Sequence, residues 1–171
     1  MTPTIRPETA TDHEAVRHAH RLAFGQDDEA GIVDALRNGG YVRVSLVADV
    51  EGRVVGHILF SDLPILTDKG TVRALSLAPM AVLPECQKRG IGSALVRKGL
   101  EVCRGGGHRI VVVLGHPDFY TRFGFSARLA EALSFPFGPW ASRGVRVRPE
   151  NGRRPPLGPD RDHRSQPVRR L

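Results

Sequence analysis

Residues 75–95 read LSLAPMAVLPECQKRGIGSAL, and the pattern of these residues is the most informative in the sequence. Its apolar beginning predicts a strand over residues 75–82, and the polar loop Gln87–Gly92 leads into a helix that begins near Ser93. The N–H groups at a helix N-terminus have no partner inside the helix, and the helix dipole adds partial positive charge there. A strand, a glycine loop and a helix start in this order therefore predict a pocket for a phosphate-bearing cofactor.

The loop combines glycines with positive charge. Gly90 and Gly92 let the backbone approach a ligand closely. Lys88 and Arg89 add two cations beside the same spot. The loop has neither the P-loop spacing G-x-x-x-x-G-K-[ST] nor a complete dinucleotide fingerprint G-x-G-x-x-G, so the two commonest phosphate loops are excluded. The residues alone still leave open a tight strand-to-helix turn with surface charges.

The spacing that is present, Gln87-x-x-Gly-x-Gly, resembles the acetyl-CoA signature Gln/Arg-x-x-Gly-x-Gly/Ala of the GNAT N-acetyltransferase superfamily. Further along the chain, Phe119–Phe125 reads FYTRFGF, and this motif is also typical of the superfamily. The likeness extends from Ile5 to Pro139. The whole pattern looks like the branch known only as predicted N-acetyltransferases of unknown substrate.

The resemblance implies an α/β (α+β) domain with the GNAT-like acyl-CoA N-acyltransferase fold, in which helices flank a central mixed, largely antiparallel sheet. It also implies a bulged central strand that splays from its neighbour and takes the pantetheine arm of the cofactor into the gap. Pro79 fits this arrangement, because a proline cannot donate a ladder hydrogen bond and marks an irregularity or bulge. Acetyl-CoA is then the co-substrate, and the implied cofactor-binding residues are Met80, Ala81, Val82, Gln87, Lys88, Arg89, Gly90, Ile91, Gly92 and Ser93.

The resemblance also implies one catalytic residue, which lies in the second motif. Tyr120 matches the tyrosine that often protonates the departing thiolate in GNAT enzymes, and a phenol suits a proton transfer to a strongly basic sulfur. The alternative is that Tyr120 is an aromatic core residue. The general base is left open: Glu85 lies beside the cofactor loop, and His116 and Asp118 lie just after the last apolar strand.

Three histidines are candidate site residues, and two of them lie on the first of two helices that the resemblance places beside the acceptor entrance. These helices are predicted over Asp12–Phe24 and Asp28–Arg37. For His18 and His20 a solvated helix face is the favoured interpretation, and substrate contact is the alternative. For His57, in a predicted strand, a hydrogen-bonded sheet residue is favoured over a place in the active cleft.

The remaining pattern predicts further strands joined by turns. Ser45–Asp49 and Arg53–Phe60 are predicted strands, and Glu51-Gly52 between them is a hairpin turn signal. Leu63–Gly70 is predicted to be a loop. Arg109–Leu114, RIVVVL, is the apolar pattern expected of a strand buried on both faces.

Composition narrows the class of protein. At 171 residues the chain has the length of one domain, and its 40% hydrophobic content supports a core. Two cysteines, Cys86 and Cys103, make no disulfide framework and predict a reduced, cytoplasmic protein. The N-terminus has no signal-peptide pattern, and the longest apolar run, Ile110–Leu114, is too short to cross a bilayer. The seven histidines show no paired ligand spacing, so no metal is predicted.

The net charge of +7 is concentrated at the C-terminal end. Residues 142–171 contain nine arginines and three acidic residues, whereas the residues before them contain 16 basic and 15 acidic side chains. The sequence therefore predicts a GNAT acetyltransferase domain over residues 1–140 and a basic Arg/Pro-rich tail over residues 141–171. Because residues 149–171 are almost devoid of apolar side chains, we expect this tail to be disordered.

GNAT proteins supply two further strands at this point, so the resemblance predicts that the C-terminal strands are incomplete here. Leu133–Phe137 could begin them, but after Trp140 only Val145 and Val147 alternate. Two explanations stay open: a basic arm for an acidic partner or nucleic acid, or a frame change near residue 140 that replaces the last strands.

The sequence thus predicts an N-acetyltransferase that moves an acetyl group from acetyl-CoA to the primary amine of a small molecule or protein. One alternative is a catalytically weak acyl-CoA-binding or regulatory module of the same fold. Another is association with nucleic acid through the basic tail, although nucleic acid is not the expected partner. A membrane is not expected as a partner, and a homodimer is compatible with the pattern.

Overall fold

The computed structural model describes residues 2–130 and the backbone of residues 143–147. Six strands are described: β1 Thr4–Pro7, β2 Val42–Val50, β3 Arg53–Thr67, β4 Gly70–Val82, β5 Ile110–Leu114 and β6 Arg143–Val147. The helices are α1 His13–Phe24, α2 Asp28–Asn38, α3 Ile91–Gly105, α4 Pro117–Tyr120 and α5 Ala127–Ala130. Short 3-10 turns lie at Ala10–Asp12, Pro84–Cys86 and Thr121–Phe123.

The six strands form one sheet in the order β1-β2-β3-β4-β5-β6. Every neighbouring pair is antiparallel except β4 and β5, which run parallel. The parallel pair is joined through α3, since parallel neighbours need a crossover connection. The predicted mixed, largely antiparallel sheet flanked by helices is thus confirmed.

Two apolar clusters cover the two faces of this sheet. Consecutive strand residues point to opposite faces, and Leu46 and Val47 accordingly belong to different clusters. On one face, α3 packs Leu95 and Leu100 into the larger cluster. On the other face, α1 and α2 contribute residues such as Val16 to the smaller cluster. The sheet is therefore a middle layer, and α1 and α3 meet its opposite faces.

The first hairpin is confirmed, whereas the predicted loop Leu63–Gly70 is wrong. Glu51 and Gly52 connect β2 to β3 with φ values of 52° and 83°, which is the left-handed geometry of a tight hairpin turn. Beyond Phe60, however, β3 continues to Thr67 and pairs with β4 residue by residue. The sequence pattern missed this extension because Pro64 lies inside it and a proline argues against a strand, and because Leu66 at its end is 82% exposed.

The predicted irregularity at Pro79 is also confirmed. Ile58 pairs with Met80 and Phe60 pairs with Leu77, so one residue of β3 stands opposite two residues of β4. On the other side of β4, the parallel pairing with β5 runs only from Leu75 to Leu77. In the described part of the chain, β4 therefore continues to Val82 after β5 has separated from it.

The strand β6 lies inside the segment predicted as a tail. Its residues Arg143–Val147 pair antiparallel with β5, so this part of the predicted tail completes one edge of the sheet. A strand that pairs through its backbone needs only a weak alternation of apolar side chains, and Val145 and Val147 provide that alternation. The boundary at residue 140, the start of a strand at Leu133–Phe137 and the disorder predicted for residues 149–171 all lie outside the described residues.

Within the described residues, no helix combines the length and the apolar composition that crossing a membrane requires.

Candidate active site

A cleft of about 600 Å³ opens where β4 separates from β5. Its wall is built from the end of α1, the end of β4, the loop before α3, the start of α3 and the segment after β5. The lining residues are Ala23, Phe24, Met80, Ala81, Val82, Cys86, Gln87, Lys88, Gly90, Ile91, Gly92, Ser93, His116, Phe119 and Arg122. All the predicted cofactor-binding residues are in this set except Arg89, which is exposed beside the loop.

The loop before α3 has left-handed backbone at two positions. Gly90 has a φ of 82°, a conformation that a side chain strains, and Lys88 has a φ of 59°. The side-chain amide of Gln87 donates a 3.0 Å hydrogen bond to the carbonyl of Val82. Gln87 therefore ties the loop back to the end of β4, so that loop and strand form one continuous wall.

The N-terminus of α3 opens into this cleft. The first helical hydrogen bond joins the N–H of Ala94 to the carbonyl of Gly90 at 2.9 Å. The N–H groups of Ile91, Gly92 and Ser93 therefore precede the first bond of the helix. These three residues line the cleft, and Lys88 places a cation beside them. This arrangement suits an anionic group such as a phosphate.

Two further lining residues, Phe119 and Arg122, come from the segment after β5, and the sequence left them without a role. Arg122 donates from Nε to the carbonyl of Phe119 at 2.9 Å, and its guanidinium carbon lies 4.5 Å from the centre of the Phe119 ring. A Cβ atom added to Gly92 would lie 3.6 Å from Cζ of Phe119. The ring therefore faces the first turn of α3, and the FYTRFGF motif was the signal that could have identified it.

Tyr120 lies next to this wall rather than in it. Its ring packs edge-to-face on Phe119 at 4.9 Å and on Phe125 at 5.6 Å, measured between ring centres. It lines a separate small cavity together with residues that include Val113 and Gly115. Burial raises the pKa of the Tyr120 phenol to about 12. The phenol therefore keeps its proton at neutral pH, and its assignment as the catalytic acid stays a prediction.

The open candidates for a general base differ in their surroundings. Glu85 is exposed and forms an ion pair with Arg53 at 2.7 Å. Its pKa is lowered, first by a backbone hydrogen bond and then by Arg53. His116 is exposed and lines the cleft, whereas Asp118 is exposed outside the lining set. The geometry thus brings only His116 of these three to the cleft.

The solvated helix face predicted for His20 is wrong, whereas the favoured interpretations of His18 and His57 are confirmed. His20 and His57 are fully buried, and their rings are hydrogen-bonded to each other. His18 is exposed. The error for His20 has a physical reason: α1 turns this face toward β3, and a single helix sequence does not identify the strand that will cover it.

The cysteines take no part in cross-linking. Cys86 is half-buried in the cleft wall, and Cys103 is on the buried face of α3, where burial raises the pKa of its thiol to about 12. Among the described residues, no group of three or more His, Cys, Asp or Glu side chains is arranged to hold a metal ion.

Comparison with known proteins gives a consistent result. A family model described as an acetyltransferase (GNAT) domain matches residues 4–128. The uncharacterized N-acetyltransferase YjhQ of Escherichia coli K12 is 39% identical over 117 residues, which are 67% of this chain and 65% of YjhQ. A GNAT family acetyltransferase from Brucella melitensis, solved in complex with acetyl-CoA, is 39% identical with a TM-score of 0.68, over 80% of this chain and 89% of that one.

A further solved structure is similar in fold and sequence. YhbS of Escherichia coli, in complex with CoA, is 32% identical with a TM-score of 0.76, over 86% of this chain and 82% of that one. The fold and the matched motifs define an acetyltransferase domain. The chain belongs to the GNAT acetyltransferase family, as the sequence predicts.

Proposed function

We propose that this protein transfers an acetyl group from acetyl-CoA to the primary amine of a small molecule or protein. The observation that carries the proposal is the continuity of the cleft. One surface joins the N-terminus of α3 to the splayed end of β4 and to the end of α1. An extended cofactor and a second substrate can therefore meet on it. The complexes of the Brucella and E. coli relatives with acetyl-CoA and CoA support the same cofactor here.

The pyrophosphate of the cofactor is assigned to the first turn of α3. The N–H groups of Ile91, Gly92 and Ser93 supply donors, and the helix dipole and Lys88 supply positive charge. Gln87 acts indirectly, since its amide holds the loop to the carbonyl of Val82. Arg89 stays a proposed contact from the loop surface.

The pantetheine arm is assigned to the open edge of β4, along Met80, Ala81 and Val82. The parallel partner of β4 ends its pairing at Leu77, so the backbone beyond that residue can bond to an extended ligand. Pro79 has no N–H, and the bulge interrupts the ladder with β3 between Leu77 and Met80, just before the residues assigned to the pantetheine arm. Backbone donors here would stabilise the oxyanion of the tetrahedral intermediate.

The acid and the acceptor complete the proposed reaction. The amine nitrogen attacks the thioester carbonyl carbon, and the carbon–sulfur bond breaks. Tyr120, protonated at neutral pH, would give its proton to the thiolate directly or through a water molecule. The acceptor amine would enter beside Ala23 and Phe24, which line the cleft at the end of α1. A cytoplasmic location and a homodimer stay predictions.

A charge-specific variant of Gly92 tests the cofactor site. A Cβ at Gly92 makes only ordinary 3.6 Å contacts with Met80 and Phe119, and an acidic residue suits the first turn of a helix. Gly92→Glu should therefore fold, yet its carboxylate would repel the pyrophosphate. We expect it to bind acetyl-CoA at least about tenfold more weakly than the isosteric Gly92→Gln, measured by isothermal titration calorimetry. Equal binding by the two variants would contradict the assigned phosphate site.

A further inference from the structure

Four polar side chains, Glu8, Ser45, His57 and His20, are hydrogen-bonded in series between the sheet and α1, and the two histidines are fully buried. We call this series the polar chain. Ser45 Oγ donates to Glu8 Oε2 at 2.6 Å and lies 2.8 Å from His57 Nε2. His57 Nδ1 lies 2.9 Å from His20 Nε2. These contacts were not predictable from the sequence, because the four residues come from four separate segments: the loop after β1, and the elements β2, β3 and α1.

The charge at one end of the chain determines where every proton lies. The Glu8 side chain is 6% exposed and forms an ion pair with Arg37, so it is present as a carboxylate, which only accepts hydrogen bonds. The single hydroxyl proton of Ser45 must then point to Glu8. Ser45 Oγ consequently accepts from His57 Nε2–H.

The same logic continues through the two imidazoles. Burial lowers the pKa of His20 to about 4, with Arg37 adding to the effect. The pKa of His57 is held well below 6.5 by burial, then by His20, Arg37 and His13. Both rings are therefore neutral near pH 7. A neutral His57 that donates from Nε2 accepts at Nδ1, so His20 donates from Nε2 and retains a lone pair on Nδ1.

This lone pair on His20 Nδ1 has no hydrogen-bond partner among the described residues, although the atom is buried. Buried polar atoms are nearly always paired, and an exception calls for a ligand, a water molecule or a role in chemistry. The whole chain thus presents one unsatisfied proton acceptor at its far end from Glu8.

That end lies directly behind the wall of the cleft. The ring of Phe24 stacks on His20 with ring centres 6.0 Å apart and planes 3° apart, and Phe24 lines the cleft. His57 is paired with Ala81 across β3 and β4, and Ala81 lines the same cleft. His20 therefore stacks on a residue of the cleft wall, and His57 lies on the strand next to β4, the strand assigned to the cofactor arm.

We propose that His20 Nδ1, reached from the cleft through one water molecule, accepts the proton that the acceptor ammonium must lose before it attacks. This inference rests on the proposed function and supplies the general base that the sequence left open. Because His20 acts through water, it is a positioning residue for the proton transfer, and His57, Ser45 and Glu8 are its relay.

The proton count of the step balances without any oxidation or reduction. The ammonium gives one proton to His20 Nδ1 and becomes a neutral amine. The proton on His20 Nε2 passes to His57 Nδ1, that on His57 Nε2 to Ser45, and that of Ser45 to Glu8. After the carbon–nitrogen bond forms and the carbon–sulfur bond breaks, the second proton lost by nitrogen balances the one gained by the thiolate. The relay then runs in reverse and returns the first proton from Glu8 through His20 Nδ1 to the water in the cleft, which restores the starting tautomers.

The relay leaves no imidazolium in the interior, which is consistent with the low pKa of both rings. Its end product is a protonated Glu8. Arg37 keeps an anionic partner in that state, because its Nη1 also donates to Asp34 Oδ1 at 2.8 Å. The charge that the relay moves is therefore compensated at the surface end of the chain.

The pH dependence of His20→Gln separates this role from a structural one. We expect kcat to fall on the order of a hundredfold near pH 7, with an unchanged KM for acetyl-CoA. The difference in kcat between His20→Gln and the wild type should become smaller as the pH rises toward the pKa of the amine, because an amine that is already deprotonated needs no base. The control His108→Gln, a half-buried histidine between α3 and β5, should keep the wild-type profile.

A second variant covers the case in which His20→Gln does not fold. Ser45→Ala removes one oxygen and cuts the relay between His57 and Glu8, so it should show the same narrowing deficit. If a folded variant loses the same factor in kcat at every pH, or loses none, the relay is overturned. The proposed function still stands in that case, provided that the wild-type protein turns over. Wild-type protein that binds acetyl-CoA but transfers to no amine overturns both, so the two failures are distinguishable.

Discussion

His20 Nε2 lies 2.9 Å from His57 Nδ1, and both rings are completely buried. Two neutral histidines in contact tie α1 to β3 at the level of the splayed strand. The pair therefore has a consequence for stability as well as for the proposed chemistry.

The first prediction concerns acid. The pKa of His20 falls from 6.5 to about 4 on folding, so between these values the unfolded chain binds a proton that the folded protein does not. Stability should therefore decrease as the pH is lowered from 6.5 toward 4, by up to about 3 kcal/mol from His20 alone. Urea unfolding across this range measures the effect. If His20→Gln loses stability as steeply as the wild type, the assigned pKa shift is wrong.

The second prediction concerns Tyr120. Tyr120→Phe removes the phenolic proton but keeps the ring contacts with Phe119 and Phe125. We expect kcat to drop on the order of a hundredfold while acetyl-CoA binding stays the same. Steady-state kinetics measures kcat, and calorimetry measures the binding of acetyl-CoA. The control is Tyr41→Phe, because Tyr41 is 54% exposed. An unchanged kcat would assign Tyr120 to the core alone.

The third prediction compares two glycines. Gly90 has a φ of 82° at the N-cap of α3, so Gly90→Ala should destabilise the protein by about 1 kcal/mol and weaken acetyl-CoA binding. Gly31 lies inside α2 in open space, and Gly31→Ala should stabilise by about 0.5–1 kcal/mol. Denaturant unfolding measures both changes. If both substitutions changed the free energy of unfolding in the same direction, the left-handed conformation assigned to Gly90 would be contradicted.

The fourth prediction tests how α3 is seated on the sheet. A Cβ on Gly99 would lie 2.4 Å from Cε2 of Phe60, whose ring is fully buried. Gly99→Ala should therefore cost about 1–3 kcal/mol through overpacking. Gly105→Ala, at the end of the same helix and with nothing within 4 Å, is the matched control. Equal stability of the two variants would mean that α3 does not approach β3 this closely.

Local order explains why the cofactor side could be predicted from sequence. The strand, loop and helix start of residues 75–95 are consecutive, so their spacing alone brings nearly all the predicted residues to one cleft. The turn at Glu51 and Gly52 and the bulge at Pro79 were predictable for the same reason. Each depends on the conformational preference of one or two residues.

The parts that the sequence did not predict depend on packing between distant elements. Phe24 reaches the cleft and His20 becomes buried because α1 crosses β3 and β4, which a single helix pattern cannot foretell. The extension of β3 beyond Phe60 pairs with β4 despite Pro64, which argues against a strand in the sequence. The strand Arg143–Val147 depends on backbone pairing, which leaves only a weak alternation of side chains.

The most direct test of the central claim is amine-dependent release of coenzyme A. Wild-type protein is incubated with acetyl-CoA and a panel of primary amines, and free thiol and acetylated product are measured together. With at least one amine, we predict that the wild-type protein releases thiol and forms acetylated amine in equal amounts. Gly92→Glu should form much less of both products, and Gly92→Gln should lose far less activity than Gly92→Glu. Tight acetyl-CoA binding without acetylated product from any amine would contradict the transferase assignment.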